Sequence, residues 1–301
     1  MTYTEEGSRK WLRWNPGNRD MRNGKNLFFV TGRSKSGTTW MALLLNSHPG
    51  IFCDHTENNA FHQDMELRFF GKRTTDLHEV VGTFYENRYL SLIKSGLLAN
   101  LIARCRKDTA VRLGDKTPRQ SIKKIFEAFN QTRVIVMLRD FRDTLVSLAY
   151  HRKRYTRTWE GIFSTSEETE LAETFIKGAL SGFEKIDDIK IYFEYAGLYP
   201  GQVKIVRYED LKIDTGSVLK KVCSFLEVDT DESLINECVE INTFERHSGG
   251  RKAGIEDTDT FFRKGIVGDW KNHFSPANVE TFKRYGGESL ILAGYEKDNN
   301  W

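Results

Sequence analysis

Gly32-Arg33-Ser34-Lys35-Ser36-Gly37-Thr38-Thr39-Trp40, GRSKSGTTW, decides how this 301-residue chain is read. It follows the short apolar, aromatic run 26–30 (NLFFV), which has the character of a buried strand. It precedes 39–48 (TWMALLLNSH), a helix that His48-Pro49-Gly50 ends. A glycine-bearing loop between a strand and a helix is where backbone N–H groups converge on an anion. The common spelling of such a loop, G-x-x-x-x-G-K-[ST], puts its lysine directly after the second glycine. Here Thr38 holds that position and Lys35 lies inside the loop. Gly-Thr-Thr at the start of a helix is also an ordinary N-terminal cap, so the loop alone leaves two readings open.

Three more strands follow along the chain. Residues 110–116 (AVRLGDK) run from a strand into a loop, 133–138 (RVIVML) is a fully apolar strand, and 202–206 (QVKIV) is the last. Between them lie a helix over 142–154 and a long helical stretch from about 167 to 196. Strands alternating with helices predict an α/β fold, a three-layer sandwich with a central parallel sheet flanked by helices. Right-handed crossovers bring the loops after the strands to one edge. Lys35, Lys116, Arg139 and Arg207 all follow such strands closely, and cations gathered at one edge predict an anionic ligand.

Composition narrows the class. A net charge of +3 gives no argument for nucleic acid. The cysteines, Cys53, Cys105, Cys223 and Cys238, show no C-x-x-C spacing and read as reduced thiols of a cytoplasmic protein. The first residues, MTYTEEGSRKWLRW, lack the apolar stretch of a signal peptide, and no run approaches the ~20 apolar residues of a membrane span. The expectation is one domain over 1–301, with 1–25 as an N-terminal extension. The charged, glycine-rich segment 246–265 (RHSGGRKAGIEDTDTFFRKG) reads as a lid or as a plain surface loop.

Two further stretches sharpen the loop's meaning. VIVMLRDFRDTLVS sets Arg139 at a strand end and Ser147 eight positions later, a little over two helical turns. FFRKGIVGDWKNHF (261–274) supplies Arg263 and Lys264 before Gly265. Together with KSGTTW, these resemble the sulfotransferase family whose donor is 3'-phosphoadenosine-5'-phosphosulfate (PAPS). That resemblance runs, in order, from about Phe28 to Phe274, and it implies a P-loop fold and sulfuryl transfer with no required metal. It explains the lysine: PAPS has a single 5'-phosphate joined to a sulfuryl group, and Lys35 inside the loop suits the bridging oxygen on which charge builds.

By this resemblance Lys35, Ser36, Gly37, Thr38 and Thr39 hold the 5'-phosphate and Trp40 stacks on adenine. Arg139, Ser147, Arg263, Lys264 and Gly265 grip the 3'-phosphate. Tyr208 (in VRYEDL), Thr243 and Phe244 (in NTFERH) approach the base, while Glu209 and Asp210 read as fixing the loop. Gly114–Arg119 (GDKTPR) resembles a loop of the bacterial, carbohydrate and tyrosyl-protein branches and gives Lys116 a catalytic role at the sulfuryl group. The general base falls in 48–64 (HPGIFCDHTENNAFHQD), with Glu57 first and His55 second; the carboxylate of the bacterial and tyrosyl-protein branches aligns near Thr56, between them. His48 reads as the helix end. The acceptor is a small organic metabolite, free or tethered to a carrier, sulfated on a hydroxyl or an amine. A P-loop kinase and a catalytically degenerate PAPS-binding module are the alternatives.

Overall fold

Every residue of Leu27–Gly32 (β1) is buried. Its side chains alternate between two cores, Leu27 and Phe29 in one, Phe28 and Val30 in the other. A strand buried on both faces needs cover on both, and the rest of the chain supplies it. The structure, a computed structural model, describes residues 14, 19–56, 82–117, 122–181 and 188–301. Ile51–Asp54 (β2), Arg112–Lys116 (β3), Arg133–Leu138 (β4) and Val203–Arg207 (β5) join β1 in one sheet of order β2-β3-β1-β4-β5. All its pairings are parallel. The α/β reading from sequence therefore holds.

The helices are Arg19–Asn23 (α1), Thr38–Ser47 (α2), Gly82–Arg104 (α3), Ile122–Ala128 (α4), Phe141–Thr156 (α5) and Glu173–Ser181 (α6). Asp188–Leu198 (α7), Tyr208–Ile213 (α8), Thr215–Phe225 (α9), Glu232–Glu240 (α10), Phe244–His247 (α11) and Pro276–Leu292 (α12) follow, with a 3-10 turn at Asp269–Asn272. Leu101 of α3, Ile125 of α4 and Tyr192 of α7 cover one face of the sheet, against Phe29, Val134 and Val136. Leu44 of α2, Leu211 of α8, Val222 of α9 and Ile235 of α10 cover the other, against Phe28, Ile135 and Met137. A third core joins α5, α6 and α12 through Leu145, Ile176 and Phe282.

The central strand β1 has β3 on one side and β4 on the other, so the chain changes direction across the sheet at this point. Ligands of open α/β sheets bind in the crevice at such a switch, beyond the strands' carboxyl ends. The GRSKSGTTW loop and the residues after β3 and β4 all open there.

Two expectations need correction. The segment 48–64 begins with a strand, β2, that its four residues were too few to announce. The helical stretch expected from about 167 starts later: 160–171 holds isolated bridges, Glu160 with Phe163 and Phe163 with Leu171, and α6 begins only at Glu173. Glu168, at φ 58, sits in a turn there, and Leu171 N–H donates to the carbonyl of His273 rather than within a helix. Among the described residues no helix is long and apolar enough to cross a membrane. All four cysteines are buried free thiols.

Candidate active site

The loop after β1 closes through Ser36, whose N–H and Oγ both donate to the carbonyl of Arg33, at 3.2 and 2.8 Å. Lys35 takes a left-handed backbone, φ 65, and Gly37 follows at φ 98. Gly37 leaves no free room for a side chain: a Cβ there would stand 2.7 Å from Cδ2 of Tyr208 and would have to displace the ring. The residue capping α2 is Gly37, which has no side chain to give, so the first N–H groups of the helix face the loop uncapped.

Lys116 ends β3, is 4% exposed, and donates to Thr39 Oγ1 at 3.1 Å. Arg139 directly follows β4 and ties two segments together. Its Nη1 donates to the carbonyl of Lys35 and its Nη2 to the carbonyl of Ile266, each at 3.2 Å. The guanidinium lies 4.3 Å from the centre of the Tyr208 ring and 3.8 Å from Asp143 Oδ2. Its Nε is buried with no hydrogen-bond partner among the described residues. A buried charged donor left unpaired is costly and marks a place for an acceptor. Ser147 lies one turn beyond Asp143 on α5, half-buried.

The residues expected near a base also assemble. Trp40 Nε1 donates to the carbonyl of Asn242 at 2.9 Å, and its ring meets Tyr208 edge-on at 5.8 Å. Thr243 caps α11, and Phe244 packs on Gly265, where φ is 67 and a Cβ would stand 2.4 Å from Cδ2 of the ring. Burial pushes the Tyr208 hydroxyl up, with Arg139 pulling against it. Glu209 accepts from the N–H of Asp140 at 3.0 Å and from Tyr295 Oη at 2.8 Å, which holds the start of α8 as expected.

Arg263 and Lys264 arrive already paired. Arg263 bonds Glu256 and Asp269 and lies 4.5 Å from the Tyr150 ring centre; Lys264 Nζ donates to Asp269 Oδ1 at 2.7 Å. Burial by itself would raise the Asp269 carboxyl, but bonds from His273, Lys264, Arg263 and Asn272 outweigh it and hold it well below 3.8. Atoms of Glu256, Asp269 and His273 lie within 4.8 Å of one another, yet two cations already neutralise the carboxylates, and the group is an ion-pair network.

The segment 246–265 is tied down. Arg251 donates to the carbonyls of Ile255, Phe262 and Arg263, and Phe261 lies with its ring centre 4.0 Å from Lys35 Nζ.

Not everything gathers. Arg207 turns away to the carbonyl of Ala293 and the Tyr295 ring, so the fourth expected cation braces α12 instead. His48 ends α2 as expected, its N–H bonding the carbonyl of Leu45. His55 is exposed just beyond β2, and Glu57 lies outside the described residues. Asp54, fully buried, accepts from the N–H and Oγ1 of Thr56 at 3.0 and 2.8 Å and is paired with Arg104. Sequence reasoning offered Asp143, with Asp140, only as a salt-bridge partner for Arg139 and gave no role to Asp269, although both stand inside the quoted motifs.

Residues 25–293 match the family model described as the sulfotransferase domain. Sulfotransferase 1C2 of Oryctolagus cuniculus is 30% identical over 163 residues, 49% of this chain and 51% of that one. The amine sulfotransferase of the same species is 26% identical over 172 residues, 54% of this chain and 55% of its own. The matched part thus spans about half the length of these curated relatives. Among solved structures, mouse sulfotransferase SULT7A1 complexed with PAP aligns with a TM-score of 0.58 at 19% identity, over 98% of this chain and 96% of that one. Retinol dehydratase in a complex with retinol and PAP aligns at 0.52 and 16%, over 90% and 84%. At these identities the likeness is one of fold. The family model, running almost the length of the chain, makes the assignment: the chain belongs to the sulfotransferase family.

Proposed function

We propose that the protein transfers the sulfuryl group of PAPS to a hydroxyl or amine of a small organic metabolite, giving a sulfate ester or sulfamate and adenosine 3',5'-bisphosphate. The observation that carries this reading is Arg139. It bridges the carbonyls of Lys35 and Ile266 while its buried Nε–H has no partner among the described residues, as a site built for a second phosphate requires. That a family relative is named an amine sulfotransferase, and that SULT7A1 was crystallised with PAP, supports the donor and the acceptor classes.

PAPS supplies a sulfuryl group whose S–O bond to the 5'-phosphate breaks as the acceptor's oxygen or nitrogen bonds to sulfur. In this reading the uncapped N–H groups of α2, with Ser36, Thr38 and Thr39, hold the 5'-phosphate. Lys35 neutralises the departing bridging oxygen, and Lys116, steadied by Thr39, neutralises the transferring group. Trp40, Tyr208, Thr243 and Phe244 bound the adenine. Arg139, Ser147, Arg263, Lys264 and Gly265 bind the 3'-phosphate, the last three from the end of a lid formed by 246–265. The acceptor's proton passes to a base on the stretch after β2, Glu57 or His55. The four buried free thiols support a cytoplasmic setting.

The test is turnover. The purified protein is incubated with PAPS and panels of phenols, alcohols and amines, and adenosine 3',5'-bisphosphate release is followed. Acceptor-dependent release supports the reading. Release only from ATP with Mg²⁺, or no release with any acceptor class, removes it.

A further inference from the structure

We propose that Asp143 is a positioning residue that joins the three cations of the 3'-phosphate site, Arg139, Arg263 and Lys264, into one unit. This rests on the donor reading above.

Asp143 lies in the first turn of α5 with its side chain fully buried. Its carboxylate could have served only as the i,i+4 partner of Arg139, which it approaches at 3.8 Å, too long for a hydrogen bond. Both its oxygens are spent elsewhere. Oδ2 accepts from the N–H of Gly268 at 2.7 Å and Oδ1 from the N–H of Trp270 at 2.9 Å. These N–H groups flank Asp269, the residue that bonds Arg263 and Lys264. One carboxylate therefore fixes the backbone on either side of the residue that aims two cations, and attracts the third. Arg139 closes the circuit, since its Nη2 donates to the carbonyl of Ile266, just before that turn. Burial raises the Asp143 carboxyl above its ordinary value, against the pull of Arg139 and of the two N–H groups.

Through Arg139 the arrangement reaches the reacting end, because Nη1 of the same guanidinium donates to the carbonyl of Lys35. Asp143 itself touches neither phosphate.

An Asn at this position keeps one acceptor oxygen and sets an NH₂ against the other N–H, so one of the two backbone bonds is lost. A general loss of structure would weaken all adenine nucleotides together, whereas loss of positioning removes only what the 3'-phosphate adds. Calorimetry on the full chain compares adenosine 3',5'-bisphosphate with adenosine 5'-monophosphate for wild type, Asp143→Asn and Asp143→Glu. The expected result is that Asp143→Asn cuts the affinity ratio of the two nucleotides by about tenfold or more, the size of one charge-assisted hydrogen bond, while monophosphate binding stays within about threefold. Asp143→Glu, which keeps the charge but not the reach, shows the same loss of ratio. An unchanged ratio in the variants overturns the proposal. So does failure of both to fold, which would assign Asp143 to the core. A wild type that gains nothing from the 3'-phosphate would instead remove the donor reading itself.

Discussion

Gly37→Ala attacks the phosphate loop at its tightest point, and its cost can be built from two separate causes. The first is backbone: at φ 98 an alanine is strained by about 1–2 kcal/mol relative to glycine. The second is contact. The new methyl would stand 2.7 Å from Cδ2 of Tyr208, whose ring is 8% exposed and held against Arg139 and Trp40. Pushing such a ring aside costs about 1–3 kcal/mol. The variant should lose about 3 kcal/mol and melt roughly 5–10 °C lower. Because the displaced ring is the one Arg139 lies against, affinity for adenosine 3',5'-bisphosphate should fall as well. A double-mutant cycle with Tyr208→Ala separates the causes by denaturant unfolding. Removing the ring abolishes the contact but not the backbone strain, so the double variant should be more stable than additivity predicts by about 1–3 kcal/mol. Strict additivity would refute the steric argument, and an unchanged melting temperature in Gly37→Ala would refute both.

Further outcomes follow from the same geometry. Lys116→Ala, in steady-state kinetics, should lower kcat by about 10²–10³-fold while affinity for adenosine 3',5'-bisphosphate changes by less than about tenfold, because Lys116 is assigned to the transferring group and not to the phosphates. Asp269→Asn should destabilise at neutral pH by an amount that fades in acid. The folded Asp269 carboxyl lies below its unfolded value of 3.8, so its stabilisation is complete above that value and is lost as pH falls beneath it. Denaturant unfolding of wild type and variant should therefore show a constant gap from pH 7 down to about pH 4 that only begins to narrow by about pH 3, because the folded carboxyl titrates far lower still.

How much of this was legible in the sequence depends on whether the deciding contacts are local. β1 and β4 could be read because burial on both faces demands unbroken apolar runs, and LFFVTG and RVIVML supply them. The loop could be read because its function needs glycine and lysine at set places beside a helix start. β2 could not, since IFCD is too short to show any period. Arg207 ends its strand much as Lys116 does, and only the packing of the residues after α12 reveals that its guanidinium is drawn to the carbonyl of Ala293. Asp143 shows the limit most clearly. In sequence it is one more acid four residues after an arginine, yet its oxygens serve N–H groups 125 and 127 residues further along.

The most direct test of the account is nucleotide binding by calorimetry in the presence of a chelator, with wild type, Lys35→Ala and Arg139→Ala. The account predicts that adenosine 3',5'-bisphosphate binds without metal, with an affinity in the micromolar range or tighter, and that each substitution weakens it by about tenfold or more. Absence of binding to the bisphosphate, together with binding of ATP once Mg²⁺ is restored, would contradict it.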